Sequence, residues 1–144
     1  MFNFLKKKPK LINIPDSWSI CNMSDGSIMR INVGLENWCD STFYPVCFII
    51  AVPFSSYHAE DDTSSMIEDM IIDVCQNSGE GVLAAVIPSQ KETRDFIVYT
   101  KRHPQQFRAG EQLMDEFPEV EFNFLVDEEL GWDLFKKHLP QIQR

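Results

Sequence analysis

The chain is sparing with the residues that most chemistry requires. Its three histidines, His58, His103 and His138, are scattered, and none has a partner at metal-ligand spacing. Its six glycines form no phosphate-cradling loop, and neither a G-x-S-x-G turn nor an H-E-x-x-H pair occurs. The four cysteines, Cys21, Cys39, Cys47 and Cys75, include no C-x-x-C pair and no regular spacing. They read as reduced thiols, with Cys47 and Cys75 acting as small hydrophobes within apolar segments. The longest apolar run, 46–54, falls well short of the roughly 20 residues of a membrane span. Met1 to Leu5 is too short for a signal-peptide core, and its lysines follow the apolar residues instead of preceding them. A cytoplasmic protein without cofactor or metal is expected, and one that does not bind membranes.

What the chain has in excess is negative charge. There are 13 Lys and Arg against 22 Asp and Glu, for a net charge of −9 over 144 residues. Residues 1–10 hold four lysines and no acid, which leaves −13 on residues 11–144. So acidic a body repels phosphate backbones and argues against nucleic acid as a partner. A basic protein partner or a homodimer remains compatible with it. The length suits one domain, placed at 17–140 behind a lysine-rich lead-in over 1–16.

Periodicity supplies the elements. Trp18–Met23 and Ile28–Val33 flank Ser24-Asp25-Gly26-Ser27, and Asp-Gly provides the positive-φ residue of a tight β-hairpin. Residues 34–45 read as a polar connection. Val46–Val52 is apolar on both faces and stopped by Pro53, as in a buried strand. Ser65 and Glu68 have capping-box spacing ahead of a helix with Met66, Ile67, Met70, Ile71 and Val74 on its apolar stripe. Strands follow at Val82–Ile87 and Arg94–Thr100. A helix is expected after Pro104, with Phe107, Gly110, Leu113 or Met114, and Phe117 in one stripe. Phe122, Phe124 and Val126 alternate in a last strand, and Trp132, Phe135 and Leu139 mark a short terminal helix.

These elements predict an α+β protein. Residues 46–126 give the β-α-β-β-α-β order of ferredoxin-like folds, an antiparallel sheet with the first and third strands central. Those are 46–52 and 94–100, the two segments that are apolar on both faces. The N-terminal hairpin must then dock at a sheet edge; a meander pairing 28–33 with 46–52 is the competing layout. Two helices cover one face of such a sheet. On the other, Ile49, Ala51, Ile97 and Tyr99 require a cover too: the terminal helix, a second subunit or a ligand.

Candidate sites are few. Arg30 and Arg94 lie in or at the ends of strands, and with Ile97 and Tyr99 they form a candidate binding face for an anion or carboxylate. Glu60-Asp61-Asp62 and Asp127-Glu128-Glu129 have the oxygens that hard cations want, although solvated acids are the simpler reading. Ser64-Ser65 lacks an adjacent base, and Cys39 has no Lys, Arg or His beside it to activate the thiol. No catalytic set emerges, so the chain reads as a non-enzyme.

Trp18 opening a strand, Arg30-Ile31-Asn32, Tyr44-Pro45 entering an apolar strand, Arg94-Asp95-Phe96 with Tyr99, and Asp127 ahead of Trp132 come in a characteristic order. Together they resemble the bacterial family called domain of unknown function 695, from Trp18 to Leu139. The resemblance implies a small cytoplasmic α+β protein with no established activity, so no catalytic residue carries over. In arrangement the chain is also similar to RraB-type inhibitors of ribonuclease E, acidic ferredoxin-like proteins that bind an enzyme, an analogy of fold alone. The expected function is a non-catalytic binding or regulatory protein acting through protein–protein contact. Two alternatives are an immunity-type inhibitor of a basic nuclease or toxin, and a small-molecule sensor using the second sheet face.

Overall fold

The computed structural model describes residues 14–23, 26–54, 62–89, 92–128 and 132–141. Six strands form one antiparallel sheet: β1 (Trp18–Asn22), β2 (Ile28–Asn32), β3 (Val46–Pro53), β4 (Gly81–Ser89), β5 (Thr93–Thr100) and β6 (Asn123–Glu128). Their order across the sheet is β1-β2-β4-β5-β3-β6. Within it, β4-β5-β3-β6 is the ferredoxin-like arrangement, with β3 and β5 central as their two-sided apolar character requires. The hairpin docks at the β4 edge through Arg30 opposite Val86 and Ile31 opposite Ala85. The meander that would pair it with β3 does not form, since β5 and β6 already occupy both sides of β3.

Among the described residues three helices join the sheet: α1 (Thr63–Ile71), α2 (Ala109–Glu116) and α3 (Asp133–His138). One turn of wider π geometry, Ile72–Asn77, continues α1. β-strand alternation then divides the core in two. Phe48, Ile50, Val52, Phe96 and Val98 face α1 and α2, where Ile67, Ile71, Ala109 and Leu113 bury them. Cys47, Ile97, Tyr99, Met29 and Ile31 face the other way, beneath Trp132, Phe135 and Leu139. The 34–45 connection belongs to this second cover, because its single-turn 3-10 helices Val33–Leu35 and Cys39–Phe43 bring Leu35 and Trp38 into the core. Its apolar members are what hold the segment down.

Local chemistry explains several element boundaries. Gly26 sits at φ 88° in the hairpin turn, the conformation that the Asp-Gly pair predicts. Asn32 is buried at the end of β2 and held by three hydrogen bonds: its Oδ1 accepts from Ser17 N and Gly34 N, and its Nδ2 donates to Pro15 O at 2.8 Å. It thereby fastens the segment entering β1. Gly81 opens β4 where any Cβ would stand 2.9 Å from both Thr100 Cγ2 and the Tyr99 carbonyl, so only glycine permits that approach.

Two local expectations differ from the structure. The helix starts at Thr63 with Asp62 as its N-cap and no side-chain cap bond, so Ser65 and Glu68 form no capping box. Glu68 instead pairs with Arg30 on β2. The helix expected directly after Pro104 is split into a 3-10 turn, Pro104–Gln106, and α2, with Arg108 between them in the left-handed region at φ 58°. His103 introduces the first piece by accepting the Gln105 N–H at its Nδ1.

Candidate functional site

The structure separates the four residues of the candidate binding face. Ile97 and Tyr99 lie under α3, 3% and 0% exposed. Arg30 and Arg94 point through the opposite face toward α1. The Arg30 guanidinium forks onto the Glu68 carboxylate and lies 5.7 Å from the Trp18 ring centre. Arg94 Nη1 donates to Ser64 Oγ at 3.0 Å. Both arginines therefore clamp one face of α1, through Ser64 and Glu68 one turn apart, and neither meets Tyr99. Strand period shows why: positions 94 and 99 differ by an odd number, which puts them on opposite faces.

Tyr99 serves the second cover. Its ring stacks on Trp132 with centres 4.1 Å apart and planes 7° from parallel. Its hydroxyl accepts the backbone N–H of Phe135, satisfying an early amide of α3. Trp132 Nε1 donates to the Tyr44 carbonyl at 2.9 Å. Trp38 stacks on Tyr44 and meets Trp132 edge-on. Burial, then the Asp40 and Glu80 carboxylates, push the Tyr44 phenol above its usual pKa. A cavity of about 390 Å³ opens beside this cluster, between Glu36, Asn37 and Trp38 on one side and Trp132, Lys136 and Leu139 on the other. Asn37 and Trp132 both hold left-handed backbone there, at φ 90° and 62°. For Trp132 that costs on the order of 1–2 kcal/mol, offset by its stack and hydrogen bond.

A second concavity lies across the molecule, between β6 and α2. It encloses about 520 Å³ over a floor of Phe48, Phe124 and Val126, with Met114 and Gly110 on the helix side. A Cβ on Gly110 would sit 3.3 Å from the Phe124 ring, so glycine lets the helix approach this strand. The turn carrying His103 and Gln105 closes one end, beside Arg108, whose Nε donates to Glu111 Oε2 at 2.6 Å. β6 is the outermost strand here, paired on one side with β3. It exposes apolar side chains on both faces, Leu125 at 54% and Val126 at 38%, and Met114 nearby is 46% exposed. Along α2, β6 and the segment between them, Glu111, Asp115, Glu116, Glu119, Glu121 and Asp127 are open to solvent.

Sequence reading missed this groove. The edge position of residues 122–126 was implicit in the βαββαβ order, but the gap beside α2 depends on tertiary placement that no local pattern encodes.

Other candidate chemistry does not assemble among the described residues. They contain no group of three or more His, Cys, Asp or Glu placed to hold a metal ion. Residues 60, 61 and 129 of the two acidic runs lie outside the described residues. Cys47 and Cys75 are buried, Cys39 is exposed, and all four cysteines are free thiols. Burial, with a contribution from Glu80, pushes the Cys75 thiol up to about 12, which keeps it protonated and unreactive. Among the described residues, no helix is long and apolar enough to cross a membrane.

No curated protein and no solved structure matches the chain, and the expected similarity to RraB-type inhibitors gains no support. The model of a family of unknown function, DUF695, matches residues 17–139, spanning every strand and helix described above, and the chain belongs to that family.

Proposed function

We propose that this protein is a non-catalytic binding protein that acts by contact with another protein through the β6–α2 surface. The observation that carries this reading is the outer strand β6, which presents Leu125 and Val126 to solvent beside an apolar groove, on elements whose exposed charges are mostly carboxylates. Apolar contact area with a charged rim is the composition of a protein interface. An inhibitor that covers a basic nuclease or toxin is one form that such a partner would take.

The test is site-specific cross-linking in the native host. A photoreactive phenylalanine analogue at position 125 is expected to capture one discrete protein. The same analogue at Ile20, on the opposite sheet edge, is expected to capture none. Capture from position 20 with none from 125 overturns the choice of surface, and capture from neither overturns the reading.

The cavity beside Trp38 and Trp132 favours a second reading, recognition of a small aromatic ligand. Its walls are indole rings, and Lys136 and Glu36 at its mouth supply opposite charges. A thermal-shift screen with aromatic acids and amines is expected to raise the melting temperature of the wild-type chain but not of Trp38→Ala. No stabilisation by any of them sinks that reading.

A further inference from the structure

From the β6–α2 groove we infer the partner's form: an extended segment, basic and apolar in alternation, that adds to β6 as a seventh strand. This inference rests on the protein-binding reading above and specifies its chemistry.

Four features converge on it. First, β6 stands at the end of the sheet order, so one edge of its backbone has no strand partner among the described residues. An edge strand is a template for a further strand. Second, the groove lies along that same strand. Phe124 and Val126 project to its floor, so alternate side chains of an added strand would enter it beside Met114. Third, the opposite face of β6 carries Asn123, Leu125 and Asp127, all exposed. The remaining side chains of the added strand would meet an acid there and a central apolar residue. Fourth, the charge selects the partner. The exposed acids of α2, β6 and the segment between them, Glu111, Asp115, Glu116, Glu119, Glu121 and Asp127, outnumber the single cation there, Arg108, which is already bound to Glu111.

The same charge disfavours a second copy of this chain. Pairing β6 with itself would bring two acidic rims together on molecules that each carry −9. A strand with Lys or Arg on one face and Val or Ile on the other matches both faces of β6. The six residues of β6 set the length of the recognised segment at about six.

The probe is the peptide Lys-Val-Lys-Ile-Arg-Val-Lys, titrated into the full chain by fluorescence anisotropy and followed by amide NMR. Its block isomer Lys-Lys-Arg-Lys-Val-Ile-Val has the same charge and composition without the alternation. Strand addition predicts at least tenfold tighter binding of the alternating peptide, with shifts concentrated in residues 121–128 and 109–116. N-methylation of one alternate set of peptide amides should weaken binding tenfold or more, while methylation of the other set changes it little. Val126→Arg should weaken binding by a similar factor, and Ile20→Arg on the far edge should leave it unchanged.

Equal binding of the two isomers, or indifference to both methylation patterns, overturns strand addition and leaves only charge attraction. If the peptide fails while position 125 still cross-links a discrete protein, the inference falls and the protein-binding reading stands. If the cross-link fails as well, both fall.

Discussion

Tyr99 and Trp132 lie flat against each other, and both polar tips are engaged, one by the Phe135 amide and the other by the Tyr44 carbonyl. Their substitutions should therefore separate packing from hydrogen bonding. Tyr99→Phe keeps the ring and strands one amide, a cost of about 1–2 kcal/mol. Trp132→Ala removes the indole from between two elements and should cost ~3–5 kcal/mol. Urea unfolding of the two variants measures both, and equal losses would show that the hydroxyl, not the stack, holds α3. Cys75 offers a second residue-scale test. Its thiol is raised from 9.0 to about 12 in the folded chain, so above pH 9 the unfolded chain releases a proton that the folded chain retains. This contribution to stability is then whole below pH 9 and is lost progressively as the pH rises toward 12. The Tyr44 phenol, also raised, adds to the loss in the same direction. Iodoacetamide at neutral pH should label Cys39 first and Cys75 only on unfolding, which peptide mass spectrometry reads directly.

At the scale of elements, α1 is fixed to the sheet by charge as well as by its apolar stripe. Arg30 reaches Glu68 from β2, and Arg94 reaches Ser64 from β5. The Arg30–Glu68 pair keeps about a third and a fifth of its side chains in water, 32% and 22%, so its coupling should be modest. A double-mutant cycle with Arg30→Met and Glu68→Gln is expected to give about 1 kcal/mol, diminishing in high salt. The pair also shows where local reading of the sequence stops. Ser65 and Glu68 have capping-box spacing, but a guanidinium 38 residues earlier in the chain offers Glu68 a stronger partner than a backbone amide. The same limit applies to the candidate face. The period-two pattern of Arg94–Thr100 placed Phe96 and Val98 on one side and Ile97 and Tyr99 on the other, and the structure has them so. Grouping Arg94 with Tyr99 ignored that period.

For the whole molecule, the strand order was legible because interior strands need apolar residues on both faces, as 46–52 and 94–100 have; β4, apolar on both faces as well, is interior because the hairpin docks on its outer edge. What covers the second face was not fixed by pattern. Trp38, in a segment that reads as polar, joins it through contacts with residues nearly a hundred positions away. The sheet accordingly has a protected middle and two exposed margins. Amide hydrogen exchange should find β3, β4 and β5 opening only with global unfolding, and β1 and β6 opening locally and faster. Uniform protection across all six strands would contradict the edge character assigned to β6.

The second cover has a consequence for how the chain is made. Its closing hydrogen bond, from Trp132 to Tyr44, spans 88 residues. A ribosome has therefore synthesised nearly the whole sheet before α3 exists to shield it. Until residues 132–141 dock, Ile97 and Tyr99 have only the 34–45 segment for cover, and the apolar surface left open is one that chaperones recognise. A chain truncated before codon 132 never closes it, and its yield of folded protein should fall.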